Sequence, residues 1–183
     1  SSLDNLPTIS TRAGYHLRGQ SSMMMFNQAP YRIELWDNFN KDANHPVMGM
    51  PSDADWALIS PCTDNTLIRN VLATEIGKQI GLKTVQYRFC EVFINQDGGP
   101  LTESDYEGIY TLFQPVKNKK NTLNLKKLDE NDTDPAKITG GYLFKFVNLV
   151  KLGIITTSAG KSSPSSLTDN EICPIADIAL LGL

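Results

Sequence analysis

Residues 55–81, DWALISPCTDNTLIRNVLATEIGKQIG, carry the strongest structural signal in the chain, a short strand followed by the clearest helix. The strand is predicted at 56–59, where the residues favour extended backbone. Asp64 or Thr63 can cap the helix, because a side-chain oxygen there accepts a hydrogen bond from an unpaired backbone N–H. Gly81 can end it. The apolar residues of this helix recur at helical spacing: Leu67, Ile68, Val71, Leu72, Ile76 and Ile80.

Polar and apolar residues alternate on both sides of this helix, which is typical of strands with one buried face. Residues 31–36 predict one strand, after a segment that begins with turn chemistry at Gly14. Residues 85–94 and 108–113 predict an antiparallel pair, and residues 142–146 predict a further strand. An antiparallel sheet with one main helix is an α+β fold.

Composition narrows the class of protein. The chain has 183 residues, of which 40% are hydrophobic and 20% charged, as in folded soluble domains. Its net charge of -3 argues against general nucleic-acid binding, and no apolar run is long enough to predict a membrane span. The lysine-rich residues 117–127 are interpreted as a solvated loop and strand edge, with a phosphate contact as the alternative.

The three cysteines are an odd number without metal-ligand spacing. They therefore predict neither a zinc site nor a complete disulfide framework. Cys90 lies in an apolar run and is predicted to be a small core residue. The sequence neither supports nor excludes a disulfide between Cys62 and Cys173.

Seven strings of this sequence resemble, in order and spacing, the CotH (spore coat protein H) family of atypical protein kinases. The resemblance covers residues 14–146, after an N-terminal extension at 1–13, and a divergent tail with a serine-rich linker follows at 147–183. Because many ordered strings agree, a chance match is unexpected. The strings are RGQSS at 18–22, PYRIEL at 30–35, DWALISP at 55–61, LIRNVLATEIG at 67–77, FCEVFIN at 89–95, EGIYTL at 107–112 and GGYLFK at 140–145.

The resemblance implies the small lobe of an atypical protein kinase that binds ATP and Mg²⁺. It also implies a secreted or cell-surface protein that phosphorylates Ser or Thr of surface or coat proteins. Arg18, Gly19, Ser21 and Ser22 are similar to a phosphate-facing turn of the family, where backbone N–H groups and hydroxyls approach a phosphate. The alternative is a tight turn whose polar side chains face water.

Three further candidates come from the resemblance. Arg32 stands on the strand that would supply the cation for the phosphates, although the family usually introduces that strand with Lys-Lys-Pro-Tyr and this chain has Gln28-Ala29-Pro30-Tyr31. Glu75 stands on the helix where a kinase's ion-pairing glutamate would lie, and Gln114 follows the strand that leads to the adenine-contacting linker. The alternative for Arg32 and Glu75 is that each is a surface residue exposed to solvent and does not contact a nucleotide.

The family's second lobe would provide an aspartate that accepts the substrate proton and acidic residues that hold metal, and no matching string occurs in this sequence. No catalytic or metal-binding residue is therefore assigned. The function expected is a CotH-like kinase domain that is incomplete in this chain. The alternative is a non-catalytic surface or coat interaction module with a kinase-like fold.

Overall fold

The computed structural model describes residues 8–19, 28–61, 64–119, 122–139, 142 and 177–182. The chain divides into two compact units, residues 1–116 with 169–183 and residues 117–168. Ser21, Ser22, Cys62, Cys173 and nearly all of the predicted strand at 142–146 lie outside the described residues.

The first unit is built on an antiparallel sheet, which has six strands among the described residues. The strand order is β1-β2-β3-β5-β4-β6. This sheet, with few helices, is consistent with the predicted α+β class, and the predicted antiparallel pair is confirmed as β4 and β5. The strands are β1 (Arg12–Leu17), β2 (Tyr31–Trp36), β3 (Asp55–Ile59), β4 (Tyr87–Asn95), β5 (Tyr106–Phe113) and β6 (Asp177–Gly182).

Two edge strands were not foreseen. The sequence predicts a turn at Gly14, but Gly14 lies inside β1 opposite Glu34 of β2. A Cβ at Gly14 would stand 2.3 Å from Cη2 of Trp36, so glycine here makes room for a packed ring rather than for a turn. β6, in the tail that had no predicted element, pairs with β4 from Asn95↔Asp177 to Cys90↔Gly182.

The hydrophobic core lies on one face of the sheet, as the alternation requires. Trp56 lies at the centre of this core and is 1% exposed. Its Nε1–H donates to the Asp53 carbonyl oxygen at 3.1 Å. Met50 covers the core from the long loop between β2 and β3, which also holds a short 3-10 helix, Val47–Gly49. The other buried core residues are Ile33, Leu35, Leu58, Cys90, Val92, Ile94, Tyr110 and Leu112.

The main helix, α1 (Arg69–Gln79), is shorter than its sequence pattern. Asp64 stabilises its start, since Asp64 Oδ2 accepts from the Arg69 backbone N–H at 2.7 Å. Hydrogen bonds, first from the Thr66 hydroxyl and then from that Arg69 N–H, lower the pKa of Asp64. Gly81 follows the helix at a φ of +85°, as expected for a helix end.

Within the second unit, the described residues contain a short helix, α2 (Pro135–Ile138). The Asp134 side chain caps it by accepting from the Ala136 N–H at 2.9 Å. Lys137 pairs with Asp132 at 2.6 Å. These exposed contacts join residues that are close together in the sequence. They do not position any of the candidate site residues.

Cys90 is confirmed as a core residue, and burial raises its pKa from 9.0 to about 12. Because the thiolate is the reactive form, a shift of that size lowers its population by about 1,000-fold at pH 8. In a Cys62→Ser/Cys173→Ser variant we therefore expect iodoacetamide to label Cys90 very slowly in the native state and rapidly in urea. Rapid native labelling, followed by mass spectrometry, would contradict the buried position.

Candidate functional site

A row of four side chains crosses the face of the sheet opposite the core. Directly paired residues in neighbouring strands lie on the same face. Arg32 of β2 pairs with Ala57 of β3, Ala57 with Phe113 of β5, and Phe113 with Tyr87 of β4. With neighbouring strands about 4.8 Å apart, the row is roughly 14 Å long. We call the face that carries Arg32, Ala57, Phe113 and Tyr87 the site face.

At one end of this row, Arg32 is held by a carboxylate from the next strand. Its Nη2 donates to Asp55 Oδ1 at 2.6 Å. The Asp55 side chain is 10% exposed, whereas that of Arg32 is 47% exposed. The guanidinium is therefore anchored on its inner side and open to solvent on its outer side.

Arg18 lies beside Arg32. Its backbone N–H donates to the Pro30 carbonyl oxygen at 2.8 Å, which ties the end of β1 to the start of β2. Partial burial, and then the positive charge of Arg32, lower the pKa of Arg18. Two neighbouring guanidiniums repel each other, and an anion between them would remove that cost. Gly19 follows at a φ of +104°, a backbone conformation that favours glycine.

Glu75 lies at the other end of the row. Burial, followed by the charge of Glu75 and a hydrogen bond to it, raises the pKa of Tyr87. Lys78 Nζ is 4.0 Å from Glu75 Oε2 on the same helix. Glu75 thus borders the site face, while the carboxylate bonded to Arg32 belongs to Asp55.

Gln114 directly follows β5 and is only 4% exposed. Its backbone N–H already donates to the Gln86 carbonyl oxygen at 2.9 Å. The next residue, Pro115, has no N–H. Neither residue therefore offers a backbone donor to a ligand.

Gln28 joins three parts of the sheet. Its Nε2 donates to the carbonyl oxygens of Glu107 at 3.3 Å and Ile109 at 3.1 Å, and its Oε1 accepts from the Ser60 hydroxyl at 2.9 Å. Gly108, between the two carbonyls, has a φ of +116°, and a Cβ there would stand 2.6 Å from Gln28 Nε2. Gln28 therefore stands where the family usually has a lysine. Its side chain is neutral and is hydrogen-bonded to the backbone of β5.

Three half-buried aromatic rings occupy the Tyr87 end of the site face. Phe89 follows Tyr87 by two positions on β4, so both rings project from the same face. The ring centroids of Tyr87 and Phe113 are 5.7 Å apart, and those of Tyr87 and Phe89 are 6.1 Å apart. We call Tyr87, Phe89 and Phe113 the aromatic platform.

A protein-family model described as CotH kinase protein matches residues 15–172 of the chain. The chain belongs to this family. The match contains every candidate residue of the CotH domain named above and continues beyond residue 146, where the resemblance of the individual strings ended. The domain limits drawn at 14 and 146 stay predictions. No curated protein and no solved structure matches the chain.

The described part of this CotH domain contains no large cluster of metal-binding side chains. Among those residues, no three or more His, Cys, Asp or Glu side chains are grouped so that they could hold a metal ion. The same residues contain no helix that is both long and apolar enough to cross a membrane.

Asp55 and Gln28, among the described residues of this CotH domain, belong to the candidate site but do not stand out in the sequence. Asp55 is an acidic residue at the start of an apolar strand, paired with Glu34 and diagonal to Arg32, which pairs with Ala57. In the sequence, Gln28 is only a departure from the family string. Its role depends on Gly108, about eighty positions away in the sequence, and no local pattern reveals that contact.

Proposed function

We propose that this CotH domain is the small lobe of an atypical protein kinase that binds ATP through Arg18 and Arg32. The observation that carries the proposal is the position of Arg18 and Arg32 on neighbouring strands. Arg18 stands two positions after His16, which pairs with Arg32, and Arg32 is anchored by Asp55. Guanidinium groups form charge-assisted, often bidentate hydrogen bonds with phosphate oxygens. A polyphosphate is therefore the ligand class that this pair fits best.

The other proposed contacts surround that pair. Gly19, with Ser21 and Ser22, would face the phosphates, and Glu75 would border the nucleotide from α1. The resulting activity would be phosphoryl transfer from ATP to Ser or Thr of coat or surface proteins, at a secreted or cell-surface location. Mg²⁺ would neutralise phosphate charge in that reaction, with ligands from outside the described residues.

Titration calorimetry with ATP, in the presence and absence of Mg²⁺, tests this proposal. We expect an Arg18→Ala/Arg32→Ala variant to bind ATP about 100-fold more weakly, since each charge-assisted hydrogen bond is worth about 1.5 kcal/mol or more. The matched control is Arg12→Ala/Arg88→Ala, which removes the same charge from two other exposed arginines and should stay within about threefold of the parent. No heat with the parent chain, or equal losses in both variants, would contradict the proposal.

A second candidate is the non-catalytic interaction module, and the surface of α1 favours it. Leu72, Ile76 and Ile80 are 52%, 49% and 69% exposed. Because they stand four positions apart, they form a continuous apolar ridge with Ile68. Association that depends on concentration in sedimentation would support this candidate. Transfer of radiolabelled phosphate by the chain to itself or to a generic acceptor would contradict it.

A further inference from the structure

We propose that His16 is a third phosphate-binding side chain of this site and makes its affinity for a polyphosphate depend on pH. This inference rests on the proposed function and adds a regulator to that same site. Three points support it: the register of the edge strand β1, the charges around the imidazole, and the pH range in which a histidine changes charge.

The first point is the register of β1 against β2. His16 pairs directly with Arg32, so both side chains project from the same face, with their Cβ atoms about 5 Å apart. His16 therefore extends the row of the site face by one strand. The ladder continues to Arg18, whose N–H donates to the Pro30 carbonyl oxygen at 2.8 Å. Because side chains alternate along an extended chain, Arg18 also lies on the side of His16.

The second point is the balance of charge around the imidazole. Two carboxylates share this face with Arg18 and Arg32: Asp55, which is bonded to Arg32, and Glu34, which pairs with Asp55. Two guanidiniums and two carboxylates together carry no net charge. The charge of this cluster therefore depends on the protonation of His16.

Other charged groups on this face lie farther from the imidazole. On β1 to β3 the remaining charged residue of the face is Arg12, four positions before His16 and about 13 Å away along the strand. Residues 20–27, which follow Arg18 and Gly19 in the chain, contain no Asp, Glu, Lys, Arg or His. The imidazole is therefore the group of this cluster that can change charge at mild pH.

The third point is the chemistry of histidine. Its side chain ordinarily changes charge near pH 6.5. A charged imidazolium at position 16 would donate a charge-assisted hydrogen bond to a phosphate held by Arg18 and Arg32, and would make the cluster net positive. Since the charged form favours phosphate binding, bound phosphate must equally favour the charged form. Binding should therefore take up a proton, and the contribution of His16 should grow as the pH falls.

Titration calorimetry of the full chain with ATP at pH 5.5 and at pH 8 measures this contribution. We expect His16→Gln to weaken binding about tenfold at pH 5.5, where a charge-assisted hydrogen bond is lost, and less than about twofold at pH 8. Because the terminal phosphate of ATP also changes charge near pH 6, parent and variant are compared at each pH. The ratio of their dissociation constants is the readout.

His16→Arg tests the same point in the opposite direction. It places a permanent positive charge at this position. We expect it to bind ATP about as tightly as the parent at pH 5.5 and more tightly than the parent at pH 8. Weaker binding than the parent at pH 8 overturns the inference, and this comparison decides alone if His16→Gln loses the parent circular dichroism spectrum.

His45 provides the matched control, since it is the other histidine of the chain. It lies in the loop between β2 and β3, where its backbone bridges to Asp53, and not on a strand of the site face. His45→Gln should change the affinity for ATP by less than about twofold at either pH, because a distant exposed charge is screened by salt.

The outcomes separate this inference from the function on which it rests. A loss of affinity in His16→Gln that is larger at pH 5.5 than at pH 8 supports it. Equal losses at both pH values, or no loss at either, overturn the charged role of His16 and leave ATP binding by Arg18 and Arg32 standing. No heat with the parent chain at either pH overturns both proposals together.

Discussion

Replacing Trp56 with alanine is expected to lower the free energy of unfolding by about 3–5 kcal/mol, because it leaves a large cavity at the centre of the core. The ring is almost completely buried and packs among residues of β2, β3, β4 and β5. The substitution also removes the hydrogen bond from Nε1 to the Asp53 carbonyl oxygen, which belongs to the loop that covers the core. Urea unfolding followed by far-ultraviolet circular dichroism measures the loss.

Trp36 provides a matched control for this substitution. It is the other tryptophan of the chain and lies at the end of β2, half-buried against Gly14. Because its ring is partly exposed whereas that of Trp56 is 1% exposed, we expect Trp36→Ala to cost less than half as much as Trp56→Ala. Equal losses in the two variants would show that the core does not lie on the face assigned to it.

Gly108→Ala is expected to lower the free energy of unfolding by about 2–3 kcal/mol. Two causes act together. The φ of +116° at Gly108 strains any residue with a Cβ. That Cβ would also stand 2.6 Å from Gln28 Nε2 and would displace the side chain that joins β5 to Ser60.

A double-mutant cycle with Gln28→Ala separates the two causes. In the Gln28→Ala background the steric conflict is gone, so Gly108→Ala should cost about 1 kcal/mol less than in the parent. The remaining cost measures the backbone strain alone. If the cost of Gly108→Ala is the same in both backgrounds, the contact between Gln28 and Gly108 does not exist in solution. Gly98→Ala, at a positive φ on an open turn, controls for strain without a neighbouring side chain.

The candidate site was only partly visible in the sequence. The resemblance indicates Arg18, Arg32, Glu75 and Gln114. The sheet register places Arg18 and Arg32 on neighbouring strands, whereas Glu75, after burial, raises the pKa of Tyr87 at the far end of the same face. Their roles as nucleotide contacts stay predictions. Asp55 could not be ranked beforehand, because its value depends on the register between β2 and β3, and register is a property of two strands and not of one.

The same limit applies to the apolar residues of α1. Their spacing correctly predicted a helix, because 3.6-residue periodicity is local and each side chain needs only its own position to express it. The spacing of these apolar residues does not determine whether their side chains face the protein core or the solvent. In the described structure Val71 is buried, whereas Leu72, Ile76 and Ile80 are exposed.

Strands β2 to β5, the main helix and the buried position of Cys90 could be predicted from the sequence, since each follows from residue alternation or spacing over a few positions. The helix N-cap is Ile68 and not Asp64, although Asp64 accepts a hydrogen bond from the Arg69 N–H. The edge strands β1 and β6, the bond between Arg32 and Asp55, and the hydrogen bonds from Gln28 to the carbonyl oxygens of Glu107 and Ile109 became apparent only in the folded chain. The physical reason is that each of these depends on residues distant in the chain that meet through sheet register. A local sequence pattern shows the chemical type of each residue, but it does not show which distant residue that residue will contact.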